Sequence, residues 1–177
     1  MLSEPLPSTL DVRKAAARGV TVSGMLSPSQ LPRFRALLAG DEGAIEAKLE
    51  FSRDEESRFL VGVKTGAEVS VICQRCLEPM QRTLSCENTL AIVWSDDEAR
   101  VLPRYLDPLI VPEEGCNLWE LVEDELILSL PAFSYHDTEE CRKLLADFAG
   151  DAPEVQEEGA RPNPFEVLAT LKSGDEH

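Results

Sequence analysis

From Ala44 onward the chain places an apolar residue at every second position: Ile45, Ala47, Leu49 and Phe51 alternate with Glu46, Lys48 and Glu50. Successive side chains of a strand point to opposite faces, so this pattern specifies a β-strand with one dry face and one wet face. The polar run Arg53-Asp-Glu-Glu-Ser57 reads as a loop, and Phe59, Val61 and Val63 alternate beyond it, which makes a hairpin. Lys64-Thr-Gly66 reads as a turn into a further strand, Glu68 to Ile72, and Thr83-Leu84 and Leu90 to Trp94 supply more β material. No helical pattern separates these strands, which favours antiparallel pairing over parallel crossover units. The expected sheet is an antiparallel meander, curled or barrel-like.

Helical patterns lie on either side. Asp11 is placed to cap a short helix through Arg13-Lys-Ala-Ala-Ala-Arg18, and Gly19 follows where a left-handed residue closes a helix. Val20-Thr-Val22 alternates as a short strand. Ser27-Pro-Ser-Gln30 reads as a capping box with proline at the first helical position. Leu31, Phe34, Leu37 and Leu38 continue an apolar face to Gly40, although Pro32 inside that run removes a hydrogen bond.

The clearest helix runs from Leu118 to Pro131. Leu118, Leu121, Val122 and Leu126 form one stripe, while Glu120, Glu123, Asp124 and Glu125 cover most of the remaining surface. Asn117 stands at the N-cap and Pro131 stops the helix. No Lys or Arg within the segment offsets its carboxylates. Two readings follow. Either the acidic face is merely solvated over a buried stripe, or Glu120, Glu123 and Asp124 form an exposed docking surface for a partner.

The fold class is therefore α+β: a meander sheet flanked by a few helices, in a single domain spanning 1–146. Residues 147–177 form an appended tail. Asp147 to Pro162 is rich in Asp, Glu, Gly and Pro with little to bury, which reads as a flexible acidic linker. Asn163 then caps a last helix, with Pro164 first and Phe165, Leu168 and Leu171 along one side. A helix so short needs a surface to dock on.

Charge narrows the function. The 177 residues carry 17 Lys and Arg against 33 Asp and Glu, a net charge of −16. Such a surface repels a phosphate backbone, and no basic stripe interleaved with aromatics offsets it, so broad nucleic-acid binding is not expected. Arg75 with Arg82, and Arg33 with Arg35, make only small basic spots. A basic protein partner fits this charge better. No secretory signal and no membrane span is legible, and five cysteines in such a chain point to reduced thiols in the cytoplasm.

Cys73 and Cys76 have the C-x2-C spacing that lets two thiolates reach one tetrahedral ion from a tight turn. His136 and Cys141 would complete a Cys3His zinc site joining the sheet to the segment after the acidic helix. The pair also reads as unmetallated turn thiols, or as a redox couple. The redox reading suffers because Cys73 ends a strand in a meander instead of opening a helix in a crossover unit. Cys86 and Cys116 are most simply small apolar residues. Enzymatic signatures are missing: there is no G-x-S-x-G, no phosphate-cradling glycine loop and no H-E-x-x-H, and only two histidines are present. Carboxylates at Glu120, Glu123 and Asp124 could serve a nuclease, but acidic helix faces of this kind are usually solvated.

Taken in order, Pro7-Ser-Thr-Leu-Asp11, Cys73-Gln-Arg-Cys76, the acidic helix, His136-Asp-Thr-Glu-Glu-Cys141 and Asn163-Pro-Phe-Glu-Val-Leu-Ala-Thr-Leu-Lys172 resemble the bacterial YceD family. These are large ribosomal RNA subunit accumulation proteins. The resemblance covers nearly the whole chain. It implies a cytoplasmic protein needed for synthesis, processing or stability of the large-subunit (23S) ribosomal RNA, and it supplies no catalytic residues. It also implies cysteines at positions comparable to the C-x2-C pair, with His136 standing where some relatives carry a further cysteine. The leading expectation is a non-enzymatic factor acting through contacts with a basic ribosomal protein or assembly factor. The alternative is a zinc-dependent RNA-processing enzyme or its regulator.

Overall fold

The computed structural model describes residues 4–112 and 115–148. In chain order its elements are β1 (Thr9–Leu10), α1 (Val12–Arg18), β2 (Thr21–Leu26), a short 3-10 turn (Pro28–Gln30), α2 (Pro32–Arg35), β3 (Gly43–Arg53) and β4 (Phe59–Ile72). Then follow β5 (Pro79–Val93), α3 (Asp96–Arg100), β6 (Asp107–Ile110), β7 (Cys116–Asn117), α4 (Leu118–Ser129) and α5 (Glu139–Phe148). The main sheet has the order β2-β3-β4-β5-β6, open at both ends, and β1 pairs separately with β7. Every neighbouring pair is antiparallel except β5 with β6, which is parallel. The molecule is α+β with a mostly antiparallel sheet, as its patterning requires.

The sheet is built from fewer and longer strands than local punctuation suggested. Lys64-Thr-Gly66 is no turn: β4 passes straight through it, with Lys64 opposite Glu87 and Thr65 opposite Cys86. The reason is phase. Val61, Val63, Thr65, Ala67, Val69 and Val71 all point inward and are buried, so a turn would have thrown the second half out of register. β5 likewise joins the two fragments at Thr83-Leu84 and Leu90 to Trp94 into one strand.

Local chemistry sets the helix ends. Asp11 accepts a hydrogen bond from Lys14 N at 3.0 Å, and Gly19 closes α1 with φ 63, a conformation that glycine adopts without steric cost. Ser27 N donates to Gln30 Oε1 at 2.9 Å, so the capping box forms. The single helix expected through Gly40 does not. Pro32 ends the 3-10 turn at Leu31 and starts α2 as its first residue, where a missing N–H costs nothing. Phe34 is fully buried while Leu37 is half exposed. Two helices escaped the sequence pattern: α3, capped by Ser95 accepting from Glu98 N at 3.2 Å, and α5.

The core lies between one face of the sheet and the helices laid on it. Ile45, Leu49, Phe51, Val61, Val63 and Val69 meet Leu118, Val122 and Leu126 from α4, while Val12, Ala15 and Ala16 come from α1. Each large side chain buried here stabilises the fold by about 1.5–3 kcal/mol of transfer free energy. The N-terminal segment clasps both layers. Leu118 N donates to Ser8 O at 2.8 Å, and Trp119 Nε1 donates to Leu6 O at 2.9 Å. Where that segment crosses β2, a Cβ on Gly24 would lie 2.4 Å from Leu6 N, so only glycine admits the crossing.

No helix among the described residues is long and apolar enough to cross a membrane. Helix α5 continues through residue 146, where composition had set the end of the domain. The acidic linker beyond it and the terminal helix expected from Asn163 lie outside the described residues.

Candidate metal centre

Residues 73–78 connect β4 to β5, whose pairing ends at Ile72 opposite Pro79. The connection is tight: Leu77 N donates to Cys73 O, and Cys73 N donates to Glu78 O, each at 2.9 Å. Leu77 takes φ 61, a left-handed backbone just after the second cysteine, which lets the turn close with both thiols on one side.

The other two candidate ligands arrive from the loop between α4 and α5. That loop is tied to the turn by Gln74 N donating to Ser134 O at 2.9 Å and Gln74 Nε2 donating to Ala132 O at 3.5 Å. Cys141 N donates to Thr138 Oγ1 at 3.3 Å, which holds the first turn of α5 over Cys73. Thr138 and the backbone of Gln74 thus position the site without being able to ligate it. No spacing rule points to them.

The structure brings all four sequence-predicted ligands together. The Sγ atoms of Cys73, Cys76 and Cys141 and a ring nitrogen of His136 lie within 4.8 Å of one another. Cys73 Sγ is 3.6 Å from Cys141 Sγ, and Cys76 Sγ is 3.2 Å from His136 Nδ1. A tetrahedral ion with Zn–S bonds of about 2.3 Å requires sulfurs about 3.8 Å apart, so this spacing is close to a ligand set and far from the roughly 2.05 Å of a disulfide. All five cysteines are free thiols.

Electrostatics favours a cation at this point. Burial pushes the Cys73 thiol up, but the backbone N–H groups of Cys76, His136 and Arg75 outweigh it and bring it down to about 5. Cys76 moves the other way: the Glu78 N–H pulls it down, yet burial and the neighbouring Cys73 and Cys141 sulfurs push it above the usual thiol range. Thiols packed this closely resist common ionisation unless a positive charge sits among them. The Arg75 guanidinium supplies a partial one, 4.0 Å from Cys141 Sγ.

The remaining cysteines differ. Cys86 is not simply apolar: its thiol donates to Glu125 Oε2 at 3.1 Å, and burial followed by that carboxylate pushes it up to about 11. Burial, helped by Glu120, pushes Cys116 up to about 11 as well, so both stay protonated and unreactive at neutral pH.

The acidic helix is less exposed than its sequence promised. The stripe Leu118, Leu121, Val122 and Leu126 is buried as expected, but so are two of the carboxylates, Glu123 at 2% and Glu125 at 5% exposure. Glu123 Oε1 accepts from Arg33 N at 2.6 Å and Phe34 N at 3.0 Å, and its Oε2 accepts from Arg33 Nε at 2.9 Å. Helix α2 begins after Leu31, which has no side-chain oxygen, so Glu123 serves as its cap from another element. Asp124 is exposed but pairs with Arg33 Nη1 at 2.8 Å. The cation missing from the helix thus comes from α2, 90 residues away in sequence. The expectation that Glu120, Glu123 and Asp124 all stay exposed is corrected for Glu123.

Sheet, overlying helices and the Cys3His cluster define a small α+β domain built around a candidate structural metal site. The family model described as "Large ribosomal RNA subunit accumulation protein YceD" matches residues 61–172, a span that includes all four candidate ligands. A protein of Haemophilus influenzae with that same description is 36% identical over 169 residues, covering 94% of this chain and 96% of its own length. The chain belongs to the YceD family. No solved structure matches it.

Proposed function

We propose that the protein is a non-enzymatic factor in the accumulation of large-subunit ribosomal RNA. It works in the cytoplasm through contacts with a basic ribosomal protein or assembly factor. Membership of the YceD family is the observation that carries this reading, since the family is described by that RNA. The net charge of −16 supports a protein intermediary, because a chain so negative has little affinity of its own for phosphate. Glu120 is exposed on α4 with no ion pair among the described residues, so it is the carboxylate of that helix left to meet such a partner, while Asp124 is exposed but held by Arg33.

We further assign zinc to Cys73, Cys76, His136 and Cys141. Four protein ligands close a tetrahedral site, whereas catalytic zinc keeps a position open for water. The ion would bind the β4–β5 connection to the segment entering α5 and would supply no chemistry beyond that cross-link. Metal analysis of the purified protein should return one zinc per chain, lost in Cys76→Ser. Purified protein should leave large-subunit RNA uncut, and depleting it from cells should lower that RNA. Metal-dependent cleavage would replace this reading with an RNA-processing enzyme.

A further inference from the structure

The two segments that meet at the candidate metal centre also carry three exposed apolar side chains. Leu77 is 74% exposed, Phe133 67% and Tyr135 39%. They stand on the two segments that Gln74 ties together through Ser134 and Ala132. The rings of Phe133 and Tyr135 are near parallel, with centroids 6.3 Å apart. The Arg75 guanidinium lies 4.8 Å from the Tyr135 centroid and reaches back toward Cys141, so its charge is directed inward and Tyr135 is held in place.

The Leu77 backbone adds an independent observation. Its left-handed φ of 61 is needed to close the turn, and glycine would adopt it at no steric cost. A leucine there strains the backbone and exposes an apolar side chain, which serves neither the turn nor the core.

Carboxylates neighbour these side chains along the chain. Glu78 follows Leu77 directly, and Asp137, Glu139 and Glu140 follow Tyr135; all four are exposed. Asp137 pairs with Arg142 and Glu139 with Lys143, while Glu78 and Glu140 have no ion pair among the described residues. Exposed aromatic and aliphatic side chains beside an arginine and unpaired carboxylates have the composition of a protein interface. The sign of Glu78 and Glu140 favours a basic partner and opposes a phosphate backbone.

We propose that Leu77, Phe133 and Tyr135 form a docking surface for a lysine- or arginine-rich protein segment that carries an apolar anchor. The anchor seats on the rings and Leu77, while the basic residues meet Glu78, Glu140 and their neighbours. This deepens the functional reading above, on which it rests for the partner being a protein, and it gives that partner a place and a chemistry.

The test uses the full chain and three labelled probes followed by fluorescence anisotropy at physiological salt. They are a lysine-rich peptide with leucine and phenylalanine anchors, a lysine–serine peptide of equal length and charge, and a single-stranded RNA oligonucleotide. The anchored peptide should bind about tenfold or more tightly than the lysine–serine peptide, the scale of an interface hot spot. Phe133→Ser should remove that difference, and Leu77→Gly should weaken anchored-peptide binding with Tm unchanged or raised. Leu128→Ser, at a leucine of α4 that is 77% exposed, should leave binding unchanged. Equal affinity for the two peptides, or equal loss in Leu128→Ser, overturns the proposal. So does tighter binding of the RNA. A gain in peptide affinity when Phe165, Leu168 and Leu171 are changed to serine would assign the surface to the chain's own C-terminal segment instead. Normal large-subunit RNA in cells lacking the protein would count against the functional reading alone, because the peptide assay does not depend on it.

Discussion

Glu120 and Glu123 lie three residues apart on α4, yet only one belongs to the solvent. Glu123 caps α2 and holds Arg33, so Glu123→Gln should destabilise the protein by about 1–3 kcal/mol, the range for a buried charged acceptor losing its partners. Glu120→Gln should stay within about 0.5 kcal/mol, as exposed substitutions usually do. Urea unfolding of the two single variants measures the contrast. Cys73 gives a pH signature. Its folded pKa of about 5 lies below the ordinary thiol value of 9.0, so between these limits the unfolded chain binds a proton that the native chain does not. Stability of the metal-free protein should therefore rise with pH from about 5 toward 9 and be lost as pH falls through the lower limit. Melting curves of chelator-treated protein across that window should show the slope, and Cys73→Ser should flatten it. The C-x2-C spacing was legible in the sequence because both ligands share one turn. Glu123 was not, because its partner arrives from a different element.

At the scale of elements, the alternation along β4 overrides the turn-like look of Lys64-Thr-Gly66. Thr65 takes the inward position that a valine would fill, and its Oγ1 is buried with no hydrogen-bond partner. Thr65→Val should therefore raise stability by about 1 kcal/mol, since it removes a desolvated hydroxyl without changing shape. A fall in the urea midpoint would show that the hydroxyl is satisfied in solution. Helix α4 was readable from its ends and stripe: Asn117 caps it by accepting from Trp119 N at 3.1 Å, and its apolar residues are buried. Leu126→Ala should cost about 2–5 kcal/mol through the cavity it leaves. Helix α2 was misjudged because Pro32 can break one helix or begin another, and the cap that decides for a beginning lies on α4.

For the whole molecule, the candidate metal centre links the β4–β5 connection to the loop before α5 and the start of that helix. With the proposed zinc bound, chelation should loosen the 131–138 loop and α5 first, leaving β3, β4 and β5 protected. Hydrogen exchange resolves the two regions, and uniform loss of protection would make the ion part of the core instead. With its net charge of −16, the purified protein should bind ribosomal RNA weakly at physiological salt, and less as salt rises. Filter binding against a salt series checks this.

By itself the sequence determined what depends on neighbours along the chain. That includes the sheet's alternating faces, the caps at Asp11 and Asn117, the stripe of α4 and the half-site at Cys73 and Cys76. Only the tertiary structure decided what depends on groups far apart in sequence. It set which acidic residues of α4 are buried, because Arg33 and Phe34 sit 90 and 89 residues away. It set His136 and Cys141 beside the first cysteine pair, 60 and 68 residues on, by tying the loop before α5 to Gln74. Periodicity reports one face of one element. Which other element lies against that face follows from packing the entire chain.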